Sequence, residues 1–352
     1  MPPAATLPRR HRFALPLALP LLLAAAPALA VPEVVVSIKP LHSLVARVMQ
    51  GVGEPALLVG GGASLHSYSL KPSQAAALES ADLVVWVGPA FERFLEQPLE
   101  ALARDAAQVE ALELPGMLLL APREGGAWEA HDHDHGHDHD HAEHAEDEDH
   151  AEHEEHAEGE EHAEGEEHDD HAEHGHEEGG VDGHLFLDPG NAVILAEAVA
   201  EALARLDPAN AAAYGANAAT LRQELAALDA EVAATLAAVR DQRFVVFHDA
   251  YQYFEAHYGL AAIGSIVVSP EQPPGARRLS EIREKILALD ATCVFAEPGF
   301  EPALVETVIA GTDARSGVLD PEGAALPPGP EMYGALLRGL ASDLVACLAA
   351  GG

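Results

Sequence analysis

The segment DPANAAAYGANAATLRQELAALDAEVAATLAAVR, residues 207–240, constrains this chain more than any other. Asp207-Pro208 can start a helix, and Ala, Leu, Glu and Arg sustain it for about 30 residues, or roughly 45 Å. On both sides short apolar runs alternate with helical stretches. Ahead of it, Val34 to Ile38 reads as a buried strand followed by an amphipathic helix that ends at Gly51. A short strand, ALLV, then leads into a Gly-rich loop. A helix starts near Lys71-Pro72-Ser73, a buried strand runs from Leu83 to Val87, FERFLEQPLEALARD reads as a helix, and ALELPGMLLLAP as a strand. Behind it come the strands RFVVFHD, AIGSIVV, TCVFAEPG and GVLD, separated by helices and closed by a final helix from Met332. This alternation predicts mostly parallel sheets. The expected fold is α/β, with two similar β/α lobes at 31–206 and 241–352, joined by one long rigid helix at 207–240.

The first 30 residues read as an export signal. Arg9, Arg10 and Arg12 form a basic start, Phe13 to Leu23 an apolar run, and Ala28-Leu29-Ala30 a small-residue cleavage site. The apolar run is short and broken by prolines, unlike a membrane span. An oxidising compartment follows, most simply a periplasm. There Cys293 and Cys347, the only cysteines, are expected to pair. The bond would close a loop of about 54 residues, worth roughly 4 kcal/mol, and tie the C-terminal helix to a strand.

The chain carries 58 acidic and 19 basic residues. Between Glu129 and Glu178 there are 24 acids and no Lys or Arg, and the remainder is still acidic. Nucleic acid is disfavoured as a partner, because binding it needs Lys and Arg to replace phosphate counterions. A cationic ligand is compatible. Residues 125–180 hold almost no large apolar side chains, so the expectation is a disordered loop inside the first lobe. Its alternating His and Asp, beginning with His131, His133, His135, His137, His139 and His141, could bind metal in many geometries. Each would have to order the chain, so affinity per site should be modest. Two readings stay open: an accessory metal-capturing segment, or a solvated acidic linker with incidental metal affinity.

Outside the tract and the signal five histidines remain: His42, His66, His184, His248 and His257. His66 follows a strand in a Gly-rich loop. His248 closes the strand RFVVFH in the second lobe. His184 lies between the tract and a helix, and Asp320 ends the strand GVLD. Ligands of α/β folds sit at such strand ends. These four form either one metal site or a set of unrelated polar loop residues. His42 and His257, within helices, are expected to be structural.

The motifs GGGASLHSYSLKPS, DGHLFLDPGNA, FVVFHDAYQYFEAHYGL, SPEQPPGARRLSEI, CVFAEPGF and GVLDPEG resemble, in this order, those of metal-specific solute-binding proteins of ABC transporters, above all the zinc-uptake members. The resemblance spans the mature chain. It implies two α/β lobes joined by one long helix, with a metal ion in the interlobe cleft. Carried over, His66 and His184 are ligands from the first lobe and His248 a ligand from the second. Manganese-type relatives have an acid at the His248 position, so three imidazoles point to Zn²⁺. Some zinc relatives have Glu just before the first-lobe His, where this chain has Leu65; the fourth ligand is then Asp320 or a water.

The expectation is a periplasmic, monomeric, non-enzymatic protein that captures Zn²⁺ and delivers it to an ABC permease. Manganese or nickel are the alternative cargoes. A periplasmic zinc buffer or chaperone without a transporter is the alternative of a different class, though it leaves the paired lobes unexplained. A secreted zinc hydrolase would share a three-His site, but no HExxH occurs and no general base is nominated.

Overall fold

The computed structural model describes residues 31–60, 68–123, 128, 180–267, 274–299 and 302–349. The segment expected to be an export signal, His66 and the His/Asp/Glu-rich tract lie outside the described residues. The first lobe holds a four-stranded sheet of β1 (Val34–Ile38), β2 (Ala56–Val59), β3 (Leu83–Trp86) and β4 (Ala107–Glu110), ordered β2-β1-β3-β4 with every pair parallel. Its central strands, VVVSI and LVVW, are buried along their whole length. A strand covered on both faces needs apolar, β-branched residues throughout rather than alternation. The second lobe repeats the plan with β5 (Arg243–Val246), β6 (Ala261–Ser265), β7 (Cys293–Ala296) and β8 (Arg315–Val318), ordered β6-β5-β7-β8 and again all parallel. In each lobe the order reverses between the first and third strands, which opens a crevice at their carboxyl ends.

Helices α1 (Lys39–Val48), α2 (Pro72–Glu79), α3 (Pro89–Glu92), α4 (Glu96–Leu102) and α5 (Pro189–Leu206) serve the first lobe, and α7 (Gln252–Tyr258), α8 (Ala276–Leu289) and α9 (Pro302–Ile309) the second. Between them runs α6 (Ala211–Leu236), 26 residues or about 39 Å long. Tyr214, Ala218, Leu221, Leu225, Leu228, Val232 and Leu236 recur every three or four residues along α6 and are buried. The helix starts later than Asp207 because Asp207 accepts hydrogen bonds from Asn210 (2.7 Å) and Tyr214 (3.0 Å) and closes a turn there. The last helix, α10 (Met332–Leu348), packs against α1 and α6 as well as β8, so it belongs to both lobes rather than to the second alone. The Cys293–Cys347 disulfide ties the start of β7 to α10, as expected.

Two elements differ from expectation. The run FERFLEQPLEALARD is not one helix but α3, a 3-10 turn at Arg93–Leu95, and α4. The restart at Glu96 puts Pro98 in a first turn, where its missing N–H costs nothing. The apolar run Met117–Pro122 is not a strand; the less apolar AQVE forms edge strand β4 instead. Leu118 and Leu120 give their N–H groups to Asn191 (2.8 Å) and to the Tyr253 hydroxyl (2.9 Å), so no ladder is available.

Candidate metal centre

His248 stands two residues beyond β5, in the crevice of the second lobe, and Glu297 directly follows β7 on the other side of that crevice. The parallel strands thus deliver the two side chains to one place. The Nδ1 of His248 lies 2.7 Å from both carboxylate oxygens of Glu297, whose Oε1 also accepts from the Tyr251 hydroxyl at 3.2 Å. His184 sits in the loop ahead of a 3-10 turn, Leu185–Leu187, that feeds α5. Its Nδ1 lies 2.8 Å from Asp182 Oδ1, which also accepts the His184 backbone N–H at 3.0 Å. Phe91 meets the His184 ring edge-on, with centroids 5.0 Å apart.

A carboxylate can only accept, so each Nδ1 carries the proton and each Nε2 presents its lone pair. Those two Nε2 atoms, one from each lobe, face each other at 3.4 Å. Two imidazoles bound tetrahedrally at Zn–N distances of 2.0–2.1 Å would stand about 3.3 Å apart. Histidine ligands commonly give the other ring N–H to a carboxylate, which fixes tautomer and direction. Both His184 and His248 are buried, which removes competing water. Burial opposes the charged form of His248, but the charge and hydrogen bond of Glu297 outweigh it and its pKa is raised. The Asp182 carboxyl stays below its usual value: burial pushes it up, and the charge and hydrogen bonds of His184 pull it down further.

Asp320 does not end β8 but lies two residues past it. Its oxygens accept the backbone N–H groups of Glu322 and Ala325, each at 3.3 Å, and close the loop. Glu322 is the carboxylate within electrostatic reach of both His184 and His248. Burial, with Glu297 and Asp320 adding, raises its pKa to about 7 against the pull of the histidines. Lys39, just past β1, anchors this loop from the first lobe by donating to the carbonyls of Gly323 (3.3 Å), Ala324 (2.8 Å) and Leu326 (2.9 Å).

The structure therefore brings together His184 and His248, with the Asp320 loop beside them. Among the described residues no three His, Cys, Asp or Glu side chains close into a metal cage. His42 bonds the Pro55 carbonyl at 3.1 Å, and His257 bridges Asp188 and Asp229; both are structural, as expected. Sequence reasoning missed Asp182, Glu297 and Glu322. Asp182 and Glu322 each lie inside a motif singled out for a neighbouring candidate ligand, so an acid close in sequence was the available signal; Glu297, in a motif with no candidate ligand, was marked only by its place at a strand end.

The family model for "Zinc-uptake complex component A periplasmic" matches residues 34–347, which takes in both lobes and α6. The chain belongs to this family. It is 54% identical over 315 residues to the high-affinity zinc uptake system protein ZnuA of Brucella abortus, covering 90% of this chain and 91% of that one. It is 45% identical over 329 residues to the protein of the same name from Paracoccus denitrificans, covering 93% and 95%. Among solved structures it is similar to a zinc-bound ZnuA deletion mutant (TM-score 0.67, 23% identity, 91% of this chain and 99% of that one). It is also similar to the solute-binding protein FpvC of Pseudomonas aeruginosa in complex with Mn²⁺ (TM-score 0.68, 20% identity, 92% and 100%). At these identities the structures speak to the fold alone: two parallel-sheet α/β lobes joined by a helix. The zinc-uptake component A family is one of transport components rather than of enzymes.

Proposed function

We propose that this chain is the periplasmic solute-binding protein of a high-affinity zinc uptake system. It captures Zn²⁺ in the interlobe cleft and delivers it to an ABC permease, with no catalytic step. The facing Nε2 atoms of His184 and His248, 3.4 Å apart with each Nδ1 held by a carboxylate, carry the reading. His66 completes the imidazole set, and the Asp320 loop supplies the carboxylate side. Imidazole suits zinc better than manganese, which prefers oxygen. The export signal at 1–30 places the mature chain in the periplasm, where it acts as a monomer. The tract containing His131, His133, His135, His137, His139 and His141 serves as an accessory capture segment that raises the local metal concentration.

A competitive Zn²⁺ titration, with Mn²⁺ and Ni²⁺ as controls, tests this. It compares the mature chain, a form lacking 129–178, and His184→Ala/His248→Ala. One tight zinc site that survives loss of the tract and disappears with the histidines is expected. Tight binding that follows the tract instead refutes the cleft and favours a periplasmic zinc buffer.

A further inference from the structure

Arg123 is the last described residue before the short stretch that leads to Trp128, and it reaches across to the second lobe. Its Nε lies 3.0 and 2.9 Å from the two Asp249 oxygens, and its Nη2 bonds Asp249 Oδ1 as well. Nη1 and Nη2 each donate to a Glu255 oxygen at 2.9 Å. The guanidinium face stacks on Trp128, with Cζ 3.7 Å from the ring centroid. A planar fork filled on both edges and stacked on one face has little freedom left. Both partners are firmly placed. Asp249 immediately follows His248, and Glu255 also accepts the Ala262 N–H at 2.9 Å, which joins α7 to β6.

The same cation acts on the first lobe. Arg123 lies within electrostatic reach of Asp182, the carboxylate that holds His184. Its own segment is stapled to the His184 loop by the Asp182 N–H on the Leu120 carbonyl at 2.9 Å. Tyr253 of α7 closes that junction, donating to the Asp182 carbonyl at 2.8 Å while accepting from Leu120 N–H at 2.9 Å. One side chain therefore connects the backbone that carries His184 to the residue after His248.

We infer that Arg123 is a positioning residue for the metal pair: by clasping Asp249 and Glu255 from the first lobe, it sets the His184–His248 separation before the ion arrives. The inference rests on the cleft reading above. Two ligands from different lobes can match a tetrahedral ion only if something fixes the lobes locally, and this clasp is a charged group that spans them next to the residues flanking both rings. It touches no metal itself.

The test uses the full mature chain loaded with Co²⁺, whose visible absorption reports tetrahedral geometry, read as the difference from His184→Ala/His248→Ala. Zinc release into excess chelator is followed in parallel. Arg123→Gln should weaken zinc by roughly ten- to a hundredfold, the range for residues that orient ligands. Most of the loss should appear as faster release, with a weaker tetrahedral Co²⁺ band. Arg123→Lys keeps the charge but cannot fork to both acids, so it should fall between wild type and Arg123→Gln; it also serves if Arg123→Gln does not fold. Either variant lowering the melting temperature of the metal-free chain while leaving the Co²⁺ spectrum and zinc release unchanged overturns the inference, since the clasp is then structural only. A wild-type chain showing no histidine-dependent tetrahedral band refutes the cleft reading itself.

Discussion

Gly183 lies between Asp182 and His184, and the space beside it belongs to Phe91. A Cβ added at Gly183 would stand 2.5, 2.7 and 2.9 Å from Phe91 Cβ, Cδ2 and Cγ. Carbon atoms in contact prefer about 3.5–4.0 Å, so a gap of about an ångström must open. Ring rotation cannot supply it, because one clashing atom is the Phe91 Cβ, fixed to the backbone of α3. Phe91 is 3% exposed and packs edge-on against His184 and Phe186, at 5.0 and 5.6 Å between centroids. Either α3 or the His184 loop must move. Overpacking of this kind costs about 1–3 kcal/mol, and each kcal/mol lowers Tm by about 1–2 °C in a chain of this size. Gly183→Ala should therefore melt earlier without metal, and it should also bind zinc more weakly because the displaced loop carries a ligand. Phe91→Ala combined with Gly183→Ala should be less destabilised than the sum of the single changes, since Phe91→Ala removes two of the three atoms the new methyl collides with, Cγ and Cδ2, and the vacated ring space lets the remaining Cβ contact relax. Differential scanning calorimetry on the four chains, followed by zinc competition, measures both effects. Strict additivity with an unchanged zinc affinity for Gly183→Ala would refute the reasoning.

Three further outcomes are expected. His257 is raised to about 8, first by its hydrogen bond to Asp188, against burial, and then by Asp229. With a folded pKa above the ordinary 6.5, its stabilisation is complete below about pH 6.5 and lost as pH rises through 8. His257→Gln should flatten the pH dependence of urea unfolding over that window by about 1–2 kcal/mol, and an unchanged profile would remove His257 as the cause. Reducing the Cys293–Cys347 bond frees a separation of 54 residues and should lower unfolding free energy by about 4 kcal/mol, read from denaturant melts with and without reductant. Glu322→Gln should cost more zinc affinity than Asp320→Asn, because the Glu322 carboxylate lies within electrostatic reach of both histidines while both Asp320 oxygens accept backbone N–H groups; the reverse order in a competition titration would make Asp320 the acidic ligand.

The fold was legible because its signals are local. Val34 to Ile38 is a strand in sequence and in structure, since a run of β-branched residues interrupted only by the small Ser37 suits a covered parallel strand. The long helix announced itself by composition, and only its ends moved, where Asp207 prefers to close a turn with Asn210 and Tyr214. The strand expected near Met117 failed because hydrophobicity alone cannot say which run finds a ladder. Ala107–Glu110 is in register with Leu83–Trp86, while Leu118 and Leu120 are held by Asn191 and Tyr253 from elsewhere in the chain.

The site was half legible for a related reason. A histidine at a strand end or in a loop is visible in sequence, and the structure brings two of the candidates, His184 and His248, to 3.4 Å from each other. What would suit them to hold a metal is not visible there. Glu297 is 49 residues from His248, and the two meet only because β5 and β7 are parallel neighbours whose carboxyl ends share one crevice. Asp182 is two residues from His184, yet its role depends on a loop geometry that gives Oδ1 both the backbone N–H and the ring N–H of the same residue. The carboxylates decide which ring nitrogen of each neutral imidazole carries the proton, and hence that the free lone pairs are those of the two facing Nε2 atoms. Chemistry that depends on tautomer is thus set by partners that only the completed fold supplies.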